Sequence, residues 1–166
     1  PRRGRRRLLR RRGRLRLPLT MRPAGGRPSP AAALDEVRAI YRDLAARPIE
    51  RDCQLRTECC HFKLTGKTPY LTRGEALLAA RALKATGRKT LPSRPDGACP
   101  LLDPQTSRCL IYEDRPFGCR THFCAAAGGP YARREVIDLI RRLEQIDEQL
   151  AGDGPRTLPA AISSEL

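Results

Sequence analysis

Seven cysteines are the residues of this 166-residue chain whose type and spacing fit a defined chemistry. Thiolates are the preferred ligands of zinc and of iron–sulfur clusters. The sequence therefore predicts a metal site built from cysteine, in which every thiol is a candidate ligand. The candidates form an upstream and a downstream group: Cys53, Cys59 and Cys60, then Cys99, Cys109, Cys119 and Cys124.

Three other roles for the cysteines fit the sequence less well. A disulfide framework is disfavoured by the odd count and the expected absence of a secretory signal. The Cα atoms of neighbouring Cys59 and Cys60 lie ~3.8 Å apart, below the ~4.4–6.8 Å range of a disulfide. Burial as small apolar side chains would suit one or two cysteines but not all seven. A catalytic thiol paired with His61 or His122 lacks a third group to orient the base.

The number of thiols exceeds the four of a single site, so one cluster with spare cysteines and two separate sites both stay open. Four thiolates around zinc or an oxidised four-iron cluster carry roughly −2 net charge. Arg115 and Arg120, interleaved with the cysteines, are candidates to offset that charge by hydrogen bonds to sulfur. The high thiol count favours an iron–sulfur cluster over zinc, although a four-cysteine site suits both metals.

Three amphipathic helices are expected to position the cysteine-bearing loops, because apolar residues recur at helical spacing in three segments. Ser29 and Pro30 provide a cap and a first-turn proline for the first helix. Thr72 and Glu75 form a capping box for the second. The predicted segments run over 31–46, from Thr72 to Gly87, and from Pro130 to Gly152.

The fold class that follows is mainly α, a small metal-stapled domain of about three helices with long irregular loops that carry the cysteines. A short β-hairpin is expected around 101–112. The chain has no Trp and only three Phe, so the core is modest, and a metal is a recognised staple for such a domain. We assign 31–152 to the cysteine-cluster metal-binding domain and 153–166 to an irregular tail.

Residues 1–30 are Arg-rich and then Pro/Gly-rich, and are expected to be disordered because like charges with little to bury do not fold. The net charge of the whole chain is +15, and ten of the first 20 residues are Arg. Such an arm binds nucleic acid by counterion release, so nucleic-acid binding is expected only through residues 1–20. Because Met21 is the only methionine, the favoured interpretation of residues 1–20 is an over-extended start.

Membrane and secretory signals are not expected in this sequence. No stretch approaches the ~20 apolar residues of a membrane helix, and LRLPL is shorter than the ~7-residue apolar region of a secretory signal. We expect a cytoplasmic location, no membrane partner, and a redox or protein partner that the sequence does not identify. No phosphate loop, dinucleotide fingerprint or carboxylate pair is recognisable, so an enzymatic role would depend on the metal.

The order of the motifs CQLRTECC, CPLL, CLIYEDRP and CRTHFC resembles the bacterial YkgJ-type cysteine-cluster family, known for its C-x2-C-x2-C-C motif. That group is described as zinc- or iron-chelating and is often labelled Fe–S-cluster oxidoreductase. The resemblance covers roughly residues 53–124. The family pattern has eight cysteines, whereas Arg56 occupies the second position of the first motif here, which leaves a site open or recruits His61.

The resemblance implies metal binding through these cysteines, and implies redox activity by label only, because family likeness does not establish a reaction. Three functional hypotheses follow. The first is iron–sulfur cluster binding with a redox or electron-transfer role, as in an Fe–S-dependent oxidoreductase. The second is a structural zinc-binding adaptor module without catalysis. The third is nucleic-acid binding through the N-terminal Arg-rich arm.

Overall fold

The computed structural model describes residues 29–48, 51, 53 and 56–166 of the chain. The predicted disorder of residues 1–30 falls almost wholly outside this range, as does the predicted nucleic-acid arm at 1–20. Within the described residues the chain is mainly helical, which confirms the predicted fold class. None of the helices there has the length and apolar content needed to cross a membrane.

The elements of the described residues are mostly short, and only three helices exceed three turns. The α-helices are α1 (Pro30–Ala45), α2 (Phe62–Thr65), α3 (Arg73–Ala85), α4 (Phe117–Thr121), α5 (Arg133–Gln149) and α6 (Leu158–Ser163). Two short strands, β1 (Tyr70–Leu71) and β2 (Arg156–Thr157), pair antiparallel. Single 3-10 turns cover Glu58–Cys60, Tyr112–Asp114 and Ala125–Ala127.

The three long helices begin where side chains satisfy their first backbone N–H groups. At α1 the Ser29 hydroxyl accepts from the Ala32 amide at 3.2 Å. At α3 the Glu75 carboxylate accepts from the Thr72 amide at 3.0 Å, which confirms the capping box. Helix α5 begins at Arg133 and not at the predicted Pro130, because the Glu135 carboxylate accepts from the Ala132 amide at 2.6 Å.

One face of each long helix is buried in a cluster that we call the helical core. Its apolar side chains recur every three or four residues, as expected for helices packed along one stripe. Full burial of each Leu or Ile stabilises the fold by about 1.5–3 kcal/mol before entropy is counted. The helical core comprises Ala33, Leu34, Val37, Ile40, Tyr41, Leu44, Leu78, Phe117, Val136, Leu139, Leu143 and Ile146.

A second cluster, which we call the cysteine-side core, covers the opposite face of α3. It is assembled from α6, β1 and the segment around residues 98–111, and Cys60, Cys109 and Cys119 pack against it. Elements this short cannot bury an apolar stripe alone and depend on one another for their structure. Its members are Leu71, Ala76, Ala79, Ala80, Leu83, Ala98, Cys99, Leu101, Leu102, Ile111, Leu158, Ala161 and Ile162.

The segment predicted as an irregular tail, 153–166, is instead ordered, and that prediction is wrong. It contains β2 and α6, and the side chains of Leu158 and Ile162 are fully buried. The Leu158 amide donates to the Pro69 carbonyl oxygen at 2.8 Å. A strand of two residues carries no readable period, and the apolar spacing of Leu158, Ala161 and Ile162 spans little more than one turn, which is too short to predict a helix.

The predicted hairpin around 101–112 is present only as a single antiparallel bridge between Leu102 and Cys109. The Asp103 amide donates to the Arg108 carbonyl oxygen at 2.9 Å, and the turn is held by a hydrogen bond from the Thr106 amide to the Asp103 carboxylate. The cysteines were expected in irregular loops, but Cys119 lies on α4.

Candidate metal centre

Six of the seven predicted ligands line one cavity of about 590 Å³ beside the cysteine-side core. They come from separate stretches of the chain: the residues before α2, the segment 99–109 and helix α4. Distant thiols on one cavity wall are the arrangement that a metal needs in order to join loops that have no periodic structure of their own. The lining cysteines are Cys53, Cys59, Cys60, Cys99, Cys109 and Cys119.

Backbone hydrogen bonds bring the upstream and downstream cysteine groups together. The Cys99 amide donates to the Cys60 carbonyl oxygen at 2.6 Å. The Leu110 amide donates to the Leu101 carbonyl oxygen at 2.8 Å, so the bridge places Cys109 alongside the segment that follows Cys99. The cavity wall therefore depends on pairings between residues far apart in sequence.

Helix α4, which carries Cys119, is attached to α3 through a buried carboxylate. Glu75 is 3% exposed, and its carboxylate accepts from the Phe117 amide at 2.8 Å. It also accepts from the Tyr41 hydroxyl at 3.3 Å and the Thr72 hydroxyl at 2.9 Å. Burial raises the pKa of Glu75, although these donors oppose the rise. Glu75 was identified from the sequence only as a helix cap, and nothing in the local pattern indicated its contact with α4.

The two candidate arginines occupy different positions. Arg115 lines the cavity, with its guanidinium 4.3 Å from the centre of the Tyr112 ring. Arg120 instead donates to the carbonyl oxygens of Arg115 (2.8 Å) and Glu113, and its guanidinium lies 4.3 Å from the centre of the Tyr41 ring. Arg120 therefore holds the turn before α4 in place, while Arg115 is the arginine that faces the thiols.

The thiols that line the cavity influence one another electrostatically. A hydrogen bond from Cys60 lowers the pKa of Cys59 to about 6, assisted by the positive charge of Arg115, and the same pairing raises the pKa of Cys60. Burial raises the pKa of Cys99 to about 12. Burial, followed by the charges of Cys99 and Cys109, raises the pKa of Cys119. A bound metal cation would reverse this penalty, because it stabilises the thiolate form of its ligands.

The thiols that line the cavity and one buried arginine nitrogen fit a bound metal. The Nε atom of Arg115 is buried and has no hydrogen-bond partner among the described residues. Sulfur atoms that carry thiolate charge would provide an acceptor for such a donor. Across 29–48, 51, 53 and 56–166, no three His, Cys, Asp or Glu side chains are already grouped as metal ligands. Coordination would therefore require the thiols to rotate towards a common point within the cavity.

The remaining candidates are placed unequally with respect to the cavity. His122 is a lining residue, whereas Cys124 and His61 are not among the described residues that line it. Cys124 precedes the 3-10 turn Ala125–Ala127, where its carbonyl oxygen accepts from the Ala127 amide at 3.0 Å. The structure thus brings six of the predicted ligands to one cavity and leaves Cys124 outside its lining.

Soft sulfur donors from several segments around one cavity, within a small helical fold, define the chain as a cysteine-rich metal-binding domain. A family model agrees: CxxCxxCC, described as a "putative zinc- or iron-chelating domain", matches residues 51–145. The match covers more than half of the chain, and the chain belongs to this family. No curated protein and no solved structure matches the chain significantly.

Proposed function

We propose that the cysteine-lined cavity holds an iron–sulfur cluster and that the protein transfers electrons to a partner. The observation that carries this proposal is the convergence of Cys59, Cys60, Cys99, Cys109 and Cys119, whose charges act on one another around one cavity. Cys53 lies on the same cavity. Cysteine thiolates are the usual ligands of iron–sulfur clusters, and these thiols exceed the four that a single zinc ion takes.

The residues around the thiols suit a cluster of this kind. Arg115 offers its unpartnered Nε–H and a positive charge, which offset the negative charge of ligating sulfur. Phe62, Leu101 and Leu102 give the cavity an apolar wall that limits the access of water. When bound, the cluster supplies a one-electron change, and its potential depends on hydrogen bonds to sulfur and on solvent exposure. Arg115 would supply the hydrogen bond to sulfur, and the apolar wall would set the solvent exposure of the cluster.

A structural zinc site is the second candidate, and the burial of Cys99 favours it. Cys99 is 5% exposed and belongs to the cysteine-side core, with Cys60, Cys109 and Cys119 packed against that core. A closed zinc site with four thiolates would replace missing apolar packing and would not require redox chemistry. In this alternative the domain is an adaptor module whose metal stabilises the fold.

We place this function in the cytoplasm, because the thiols of a metal site must stay reduced and cytosolic reductants keep them so. All seven cysteines are free thiols in the structure. This location and the electron-transfer partner belong to the proposal.

Anaerobic purification followed by a visible spectrum and elemental analysis tests the proposal. An iron–sulfur protein is expected to be brown, with iron and acid-labile sulfide present and absorption that dithionite bleaches. A colourless protein that contains zinc, and remains colourless after anaerobic cluster reconstitution, would replace the iron–sulfur proposal with the zinc alternative. A protein that retains neither metal would contradict both.

A further inference from the structure

The cavity is larger than a closed metal site needs. Four sulfur atoms at ~2.3 Å from a zinc ion define a sphere of roughly 50 Å³. The cavity measures about 590 Å³, within the ~300–1,000 Å³ of pockets that bind organic molecules. A metal held by the thiols would therefore occupy part of the space and leave the rest for a second occupant.

The cavity is lined by apolar side chains and by a few charged ones. The walls include Phe62, Leu101 and Leu158, and Leu158 is fully buried. The charged lining residues are Lys67, Arg108 and Arg115, all cationic, and no carboxylate lines the cavity in the part of the chain that the structure describes. Apart from the thiols, the charged groups that line this largely apolar cavity are all cationic, which favours a ligand that has an apolar body and an anionic head group.

Two further polar side chains, Lys67 and His122, line the same cavity as the thiols. Arg115 acts on Cys59, Cys109 and Cys119. Lys67 forms no ion pair within the described residues, whereas Arg38, Arg73 and Arg142 elsewhere on the surface each pair with a carboxylate.

We propose that this cavity binds a small organic anion, a carboxylate or a phosphate monoester, beside the metal. The apolar body of the ligand packs against Phe62, Leu101 and Leu158, and its head group accepts hydrogen bonds from Lys67 and His122. The proposal deepens the proposed function, since it places the ligand next to the thiol-bound metal.

Calorimetric titration of the full-length protein as purified tests this site, with metal content measured on the same sample. Benzoate and phenyl phosphate are the probes, benzyl alcohol is the neutral comparison, and inorganic phosphate is the anion without an apolar body. We expect one or both aromatic anions to bind, and benzyl alcohol and inorganic phosphate to bind more weakly.

Losing the exposed charge in Lys67→Gln is expected to weaken anion binding about fivefold. Lys89→Gln, a matched change away from the cavity lining, is expected to have no effect.

The outcomes separate this proposal from the proposed function. Full metal content without binding of either aromatic anion overturns the anion site and leaves the metal site in place. Equal affinity in Lys67→Gln and in the unchanged protein also overturns it, because the head group then lies elsewhere. Anion binding that Lys67→Gln weakens, in a protein that retains no metal, supports the anion site and overturns the proposed function.

Discussion

The helical core and the cysteine-side core are built from the same helix, α3, but from different kinds of neighbour. Leu78 points into the helical core and Leu83 into the cysteine-side core, and both are fully buried. On the first side the neighbours are long helices, α1 and α5, whose apolar side chains recur at a regular spacing. On the second side they are short pieces of chain, and a buried cysteine is among them.

This difference separates two sources of stability. Burial of apolar side chains from the three long helices stabilises the helical core, and no ligand is needed for that packing. The cysteine-side core has thiols around it whose pKa values are raised by burial, at Cys99, Cys109 and Cys119. Metal coordination would convert those groups from buried thiols into bonded ligands. We therefore expect the two sides to respond differently to substitutions.

Replacing a cavity cysteine should give the largest effect. Structural zinc contributes ~10–16 kcal/mol in small peptides, while the whole stability of a domain is ~5–15 kcal/mol. We expect Cys99→Ser, Cys109→Ser and Cys119→Ser each to lose most of the bound metal and to lower the melting temperature sharply. Cys53→Ser should be milder, because its motif is already incomplete at Arg56. Elemental analysis and thermal unfolding measure both effects.

Two control substitutions sharpen this result. Cys124→Ser changes a thiol that is not among the lining residues, so metal content should be retained. Leu139→Ala empties part of the helical core and should cost about 2–5 kcal/mol of unfolding free energy, with the metal retained in the folded protein. Normal metal content and melting temperature in all three cavity variants would mean that cysteine ligation does not hold this fold together.

Glu75→Ala should come next, because this carboxylate joins the two sides. Its loss leaves the Phe117 amide and the Tyr41 hydroxyl without their acceptor, at a cost of about 3–5 kcal/mol of unfolding free energy. Helix α4 carries Cys119, so we also expect weaker metal binding, measured by competition with a chelator. Leu78→Ala, on the same helix, should destabilise the fold with less change in metal affinity. Equal metal affinity in the two variants would show that Glu75 stabilises the fold without positioning α4.

The smallest effect concerns pH and the reactivity of the metal-free protein. A lowered pKa means that the thiolate forms at lower pH, so Cys59, with a pKa of about 6, should be mostly ionised at pH 7. Cys99, with a pKa of about 12, should remain protonated there. Brief iodoacetamide treatment at pH 7 should therefore modify Cys59 on the order of 100-fold faster than Cys99. The rate of Cys59 modification should fall as pH drops below about 6. Peptide mass spectrometry would identify the modified residue. Preferential modification of Cys99 would contradict this electrostatic account.

The helical core could be predicted from the sequence because its order is local. Val37 and Tyr41, or Leu143 and Ile146, repeat within one helix and need no knowledge of the partner. The capping box of Thr72 and Glu75 was likewise confirmed. The start of α5 was placed three residues early, because the Ala132–Glu135 hydrogen bond, and not Pro130, fixes its first turn.

The cysteine-side core was predictable in its chemistry but not in its shape. Residue type alone indicated thiol ligands, and the family match agrees that the domain is a metal chelator. Pairings such as Pro69 with Leu158, or Glu75 with Phe117, join segments with no shared local pattern. For the same reason the cavity itself, with Lys67 and His122 on one lining, could be found only from the tertiary structure.

The pairing of β1 with β2 has a consequence for how the protein is made. Synthesis runs from the N-terminus, so all the thiols, ending at Cys124, are translated before residues 156–163, which form β2 and α6. Until those residues arrive, Leu71 has no strand partner and the cavity lacks Leu158. A nascent chain therefore presents its thiols while the wall beside them is still missing. Metal delivered before those residues are made meets a site that lacks this wall, and metal delivered afterwards meets a site with the wall in place.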